Sequence, residues 1–225
     1  MKLHSVAAVS DRRRGSAHSS AVRDRRYRRK FPRAFTLIEL LVVIVIIAIL
    51  MGLAFPAFQA VQNQAKKTQA KNDLMQIVTA VNAFYTEYGK YPLVTTDKVY
   101  GPAGATNDAL FDVLRAKTAT ENPRQIIFIS PPDAKNPANP RSGIGTATGT
   151  GQFFDPWGMP YYVEIDGNYN NQIDVNPYST NAGSTPLQAG VIAWSFGKDL
   201  QSQTASGTPA DKNTGINSDD VISWQ

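Results

Sequence analysis

The sequence predicts an α+β protein. One long N-terminal α-helix, membrane-spanning in its first half, is expected to pack its second half on a small antiparallel β-sheet. Three observations carry this expectation. Leu40 to Phe58 is a run of 19 residues without a charge, close to the ~20 that span a bilayer's hydrocarbon core as a helix. Beyond it, Leu74, Ile77, Val78, Val81, Phe84, Tyr85 and Tyr88 recur at steps of three and four, the period of one helix face. Further on, Tyr161–Ile165 and Val191–Ser195 are short runs of β-branched and aromatic residues set between Pro-, Gly- and Asn-rich stretches, the pattern of strands and turns.

Residues 1–34 come first and are strongly basic. They hold 11 Lys and Arg against Asp11 and Asp24, whereas the remaining chain has 12 basic and 16 acidic residues. The net charge of +5 therefore belongs to this arm. Lys and Arg next to an apolar helix stay on the cytoplasmic side of a membrane, so the arm reads as a topology signal. It lacks the interleaved aromatics of a nucleic-acid surface, and nucleic acid is not expected as a partner.

The chain has no Cys, and both His residues, His4 and His18, lie in the arm. Disulfides, thiol chemistry and thiolate metal sites are excluded. If the arm is removed, no His remains to act as general base or metal ligand. No phosphate-binding loop occurs. An enzyme is not expected.

Phe35 to Leu50 reads FTLIELLVVIVIIAIL. An apolar run with one carboxylate, Glu39, near its start is unusual, because an ionised side chain in lipid is costly and is kept for a function. Three readings are open for the segment. It is a plain signal anchor, or a secretory signal peptide cut after Gly52-Leu53-Ala54, or a prepilin leader and helix. The letters resemble the N-terminal signature of type IV pilins and pseudopilins. That resemblance implies cleavage between Ala34 and Phe35 by a prepilin peptidase, with methylation of the new amine of Phe35. It makes Glu39 the fifth residue of the mature chain and its assembly residue, paired with the terminal amine of a neighbouring subunit. In the family Gly precedes the cut. Here Ala34, the next smallest side chain, takes that place, and the leader is long.

The helix continues past the membrane. Pro56 removes one backbone bond and predicts a kink. From Gln59 onward Asn63, Lys66, Lys67, Lys71, Asn72 and Asp73 line a polar face, and Gly89 marks the end. From Thr36 to Tyr88 such a helix would be about 80 Å long. Its stripe of Ile77, Val78, Val81, Phe84 and Tyr85 reads as core. The expected organisation is a cleaved leader (1–34), a transmembrane half-helix (35–58), an amphipathic half-helix (59–89) and a globular head (90–225).

In the head, Ala109–Leu114 reads as a short helix, Gln125–Ile129 as a short strand or extended segment, and residues 131–152 as a long loop. Asp155-Pro-Trp-Gly-Met-Pro-Tyr161 is similar to a turn in the major pseudopilin of type II secretion systems. Its Pro and Gly suit a tight turn, and Trp157 and Tyr161 suit buried area.

Two segments are candidate calcium sites. Asp166, Asn168, Asn170 and Asp174 fall at positions one, three, five and nine of an EF-type loop. Asn171 and Pro177 stand where that pattern has its Gly and its bidentate acid, and a polar β-hairpin accounts for the same residues. The second segment runs from Ser195 to Trp224 and resembles the family's C-terminal calcium loop. By that resemblance Asp199, Asp220 and Asp219 are side-chain ligands and Phe196 and Val221 carbonyl donors, with Asp211, Asn213 and Asn217 as further candidates. An exposed acidic tail is the alternative.

The resemblance thus implies a pilin-like fold with a C-terminal calcium loop, and a structural subunit of a type II secretion pseudopilus in the bacterial inner membrane. Its N-terminus would be cytoplasmic and its head periplasmic. Its partners would be further copies of itself, other pseudopilins, the prepilin peptidase and the secretion assembly platform. A type IV pilin for adhesion or DNA uptake, and a membrane-anchored calcium-binding module, are the alternatives.

Overall fold

The structure is a computed structural model. It describes residues 35–101, 105–146, 151–178, 180–201 and 210–225. The basic leader, with Ala34 at its end, lies outside the described residues. The chain falls into two compact units, residues 1–48 and 49–225.

Helix α1 is assigned over Leu37–Tyr88, and its assignment is unbroken through Pro56. The proline expected to kink the helix does not interrupt it; neighbouring bonds carry the helix past the missing N–H. The apolar side chains of its first half are exposed, and the stretch is long and apolar enough to cross a membrane. Within the second unit the helix is buried on one side only, at Ala70, Leu74, Ile77, Ala80, Val81 and Phe84. These positions keep to the three- and four-residue steps of one face. Two members of the predicted stripe differ. Val78 is half-buried, and Tyr85 is 40% exposed, stacked at 4.6 Å on Tyr91 rather than packed into the core. The small residues Ala70 and Ala80, outside the predicted stripe, are buried in the core. Gly89 ends the helix with φ +67°, donating its N–H to the Tyr85 carbonyl, a left-handed cap that costs glycine little.

The head carries β1 (Lys98–Tyr100), α2 (Asp108–Leu114), β2 (Gly143–Ile144), β3 (Phe153–Phe154), β4 (Tyr162–Ile165), β5 (Val191–Ser195) and β6 (Val221–Ile222). Strands β1-β4-β5-β6 form an antiparallel sheet in that order, and β2 and β3 form a separate pair. This is the expected α+β, pilin-like arrangement of a long helix on a small antiparallel sheet. Val163, Ile165, Val191 and Ala193 join the helix in one core. On the opposite face Ile192, Trp194 and Ile222 are covered by Ile173, Tyr178 and Ala182 from the long β4–β5 connection. With both faces covered, β5 is buried at every position, which is why it reads as a continuous apolar run.

Two expectations are refined. The stretch Gln125–Ile129, expected as a short strand or an extended segment, joins no sheet. Its backbone is held instead by the buried side chain of Asn122, which donates to the carbonyls of Val113 and Ile126 and accepts the Ile126 N–H. The loop 131–152 contains strand β2, whose Gly143 and Ile144 pair with Phe154 and Phe153; residues 147–150 lie outside the described residues.

Candidate functional site

At the N-terminal end, Phe35 and Glu39 are both exposed. Thr36 caps α1. Its hydroxyl accepts the Glu39 N–H at 3.3 Å, while the Glu39 carboxylate accepts the Thr36 N–H at 2.8 Å and its hydroxyl at 2.7 Å. This reciprocal arrangement is a capping box. It satisfies two helix-end donors and holds the carboxylate one residue from Phe35.

The second place where charge gathers is the end of the sheet at β5 and β6. Register pairs Ser195 with Val221, so the chain leaving β5 and the chain entering β6 lie side by side. One carboxylate oxygen each from Asp199, Asp219 and Asp220 lies within 4.8 Å of the other two. Asp219 holds the turn after β5: its Oδ2 accepts the N–H groups of Lys198 at 2.5 Å and Asp199 at 3.0 Å. Gly197 sits against it at φ +71°, where an added Cβ would stand 2.4 Å from the Asp219 carbonyl oxygen, so no larger residue fits.

Asp220 is 5% exposed. Its Oδ2 accepts the Tyr178 hydroxyl at 2.5 Å, while its Oδ1 is buried without a hydrogen-bond partner. Burial pushes its carboxyl up to about 7, with the Tyr178 bond and the Lys212 ammonium opposing and Asp219 and Asp199 adding. Three convergent carboxylates, one with an orphaned oxygen, form an all-oxygen donor set that fits a hard cation such as Ca²⁺.

Phe196 and Val221 are buried beside the group. Asp211 is not part of it. Its Oδ1 accepts the Asn181 amide and the Asn213 N–H, and its carbonyl accepts the Asn217 side-chain amide at 3.0 Å. Residues 202–209 of this loop lie outside the described residues.

The loop after β4 is tied to itself. Asp166 is 1% exposed. Its oxygens accept the N–H groups of Asn170 at 3.3 Å and Asn171 at 2.7 Å, Asn168 accepts that of Asn170, and Asn170 that of Gln172. Asn170 also donates its amide to Asp174 at 3.2 Å. Asn171, at the position of the EF-type Gly, has φ +60°; Asn tolerates that conformation better than other side chains.

Sequence reasoning assigned the 155–161 turn to its aromatics and missed the role of its acid. Trp157 and Tyr161 are buried as expected, but Asp155, fully buried, organises the turn. Its Oδ1 accepts the N–H groups of Trp157, Gly158 and Met159, and its Oδ2 accepts the Ser195 hydroxyl at 2.6 Å. The signal was present, since Asp before a Pro-x-Gly turn commonly bonds the backbone that follows it.

The family described as "Prokaryotic N-terminal methylation motif" matches residues 29–55, a span that contains the Ala34–Phe35 bond, Thr36 and Glu39. This segment is of the prepilin type, and the match supports a place for the chain among the type IV pilins and pseudopilins. The chain is also similar to a curated protein, the "Type IV major pilin protein PilA" of Myxococcus xanthus (strain DK1622), at 42% identity over 59 residues. That match covers 26% of this chain, which spans about a quarter (27%) of the relative's length. No solved structure matches. The family is structural rather than enzymatic, and its long apolar helix is compatible with membrane anchoring.

Proposed function

We propose that this chain is the building block of a helical filament rooted in the inner membrane, the major pseudopilin of a type II secretion system. The observation that carries this reading is the prepilin-type segment, with Glu39 four residues beyond Phe35 on a helix whose apolar side chains are exposed in the single chain. Such a surface needs lipid or the same segment of other copies. Repeated contacts that do not close on themselves generate a helix of subunits.

After cleavage, the amine of Phe35 and the carboxylate of Glu39 are charges at the edge of oil. Each is costly alone, and pairing between neighbouring copies relieves both. A subunit out of register keeps an unpaired carboxylate, so the pair sets the rise from one copy to the next. In the unassembled chain the capping box gives Glu39 a local partner in the meantime. The prepilin peptidase and the secretion assembly platform are the partners this cycle requires, with the head on the periplasmic side and the leader in the cytoplasm. The work of extension comes from an ATPase in another chain.

The Asp199, Asp219 and Asp220 group is the proposed Ca²⁺ site, with the Phe196 and Val221 carbonyls as further donors. A bound divalent cation offsets their mutual repulsion and joins the two chain segments at the sheet end. The residues themselves prepare the place: Gly197 allows the close approach, Asp219 fixes the turn, and Tyr178 orients Asp220.

The test is Glu39→Ala expressed in a strain lacking the wild-type chain. The variant is expected in the membrane fraction at normal level, with no sheared filaments and no export of secreted protein. Normal export with Glu39→Ala overturns the proposal. The second reading, a type IV pilin, is favoured by the similarity to the M. xanthus major pilin. It predicts loss of surface fibres, with export intact, when the chain is deleted.

A further inference from the structure

Lys212 is buried, only 8% exposed. An ammonium taken out of water is costly unless charge or hydrogen bonds replace what it loses. Its Nζ donates to the Asn217 carbonyl at 3.2 Å. Among the described residues it makes no ion pair.

The acids at the sheet end are what it approaches. The Asn217 carbonyl oxygen that accepts the Lys212 ammonium also accepts the Asp220 N–H, again at 3.2 Å. Lys212 and Asp220 therefore meet at one oxygen atom. They also line one groove between α1 and β6, together with Lys67 and Lys71. The backbone around Lys212 is pinned: its N–H donates to the Thr180 carbonyl at 3.1 Å, and the Ala210 N–H to that of Pro177 at 2.9 Å. Lys71 is engaged elsewhere, its Nζ donating to the carbonyls of Ile222 at 2.8 Å and Ser223 at 3.4 Å. Burial pulls the Lys212 ammonium down, Asp220 and Asp219 oppose, and Lys67 adds to the pull.

Lys212 stands near the acids without occupying them. Asp220 Oδ1 is still buried without a hydrogen-bond partner. A cation at this range weakens the repulsion among Asp199, Asp219 and Asp220 and leaves their oxygens open.

We propose that Lys212 is the internal counter-cation of the Asp199, Asp219 and Asp220 group and an affinity-setting residue of its Ca²⁺ site. The second half of this rests on the Ca²⁺ reading given above. Without the ion, the ammonium offsets part of the carboxylate repulsion. With Ca²⁺ bound, the same ammonium faces a divalent cation over a short, poorly screened span, and like charges repel. Lys212 thus steadies the ion-free head and loosens its hold on the ion.

The test uses the full chain in detergent at pH 8. Lys212→Gln and Lys212→Met both remove the charge, and Gln keeps a hydrogen-bond donor. Lys212→Arg keeps the charge, and Lys117→Met removes one from an exposed position. In calorimetric titration with Ca²⁺, both neutral variants are expected to bind at least about fivefold more tightly than wild type. Lys212→Arg and Lys117→Met should stay near wild type. In chelator the neutral variants should melt below wild type, and the deficit should shrink in an Asp220→Asn background, where one of the acids that Lys212 serves is neutral. A lysine that served packing alone would show the same deficit in both backgrounds and would not tighten Ca²⁺ binding. Wild-type or weaker affinity in both neutral variants overturns the affinity role, and a deficit unchanged by Asp220→Asn overturns the counter-cation role. A wild-type chain that takes up no Ca²⁺ overturns the site and the affinity role with it; the chelator comparison then decides the counter-cation role on its own.

Discussion

The carboxylate of Glu39 is turned back on Thr36, accepting both its backbone N–H and its hydroxyl, at 2.8 and 2.7 Å. The acid proposed above for contact between copies is, in the single chain, part of its own helix end. Removing the hydroxyl with Thr36→Ala is expected to weaken the cap by about 1 kcal/mol. Amide hydrogen exchange in micelles checks this: Glu39 N–H protection should fall about fivefold in Thr36→Ala, as 1 kcal/mol requires, and stay near wild type in Thr36→Ser. Equal protection in all three would mean that the box is not populated.

Asp155 is expected to be the most sensitive acid of the head. Asp155→Ala removes the acceptor of three backbone N–H groups and of the Ser195 hydroxyl. Leaving such donors buried costs about 1–3 kcal/mol each at most, so a loss of at least about 3 kcal/mol is expected. Asp155→Asn keeps one oxygen for the three N–H groups and should cost far less. Denaturant titration of both variants checks the difference; equal losses would contradict it.

The two halves of α1 should respond in opposite ways to truncation. Leu74 is fully buried, whereas Val61 is 67% exposed. Leu74→Ala is expected to destabilise the head by about 2–5 kcal/mol through the cavity it leaves. Val61→Ala should leave the melting of the head unchanged and instead reduce filament yield. A head destabilised by Val61→Ala would contradict the division.

These contrasts also mark what the sequence could disclose. The helix, its end at Gly89, and strands β4 and β5 were legible because period and punctuation are local properties. Tyr85 was misplaced because a period of 3.6 gives the face but not where the sheet stops covering it. Asn122 was missed because its side chain is placed by a distant one: its Oδ1 accepts the hydroxyl of Tyr88, 34 residues earlier, and sequence period says nothing of such a pairing. The gathering of Asp199, Asp219 and Asp220 could be anticipated only through family resemblance, since twenty residues separate the first two.

Asp73 offers a pH test outside the Asp199, Asp219 and Asp220 group. Its Oδ2 accepts the Tyr161 hydroxyl at 2.8 Å. Burial nevertheless holds its carboxyl above the ordinary value, with the Tyr161 bond opposing and Asp155 adding. An acid raised in the folded state binds its proton more readily there than when unfolded, so its contribution to stability declines as pH rises through that range. Asp73→Asn keeps an acceptor for Tyr161 and removes the charge. It is expected to melt higher than wild type at neutral pH, with the gap closing in acid. A gap independent of pH would contradict this.

Ca²⁺ should stabilise the head through the C-terminal cluster. At a hundredfold excess over its dissociation constant a ligand adds about 2.7 kcal/mol. Scanning calorimetry of the wild type with and without Ca²⁺ should show that gain, and Asp220→Asn and Gly197→Ala should each reduce it. An Asp220→Asn chain with the full gain would contradict the assignment.

The central claim is that this chain becomes a filament subunit by exposing a new amine beside Glu39. Intact-mass and N-terminal peptide mass spectrometry of the chain purified from membranes tests it most directly. A mature chain beginning at Phe35 and carrying one N-methyl group is the predicted result; a chain still beginning at Met1, or one cut after Ala54, would contradict it.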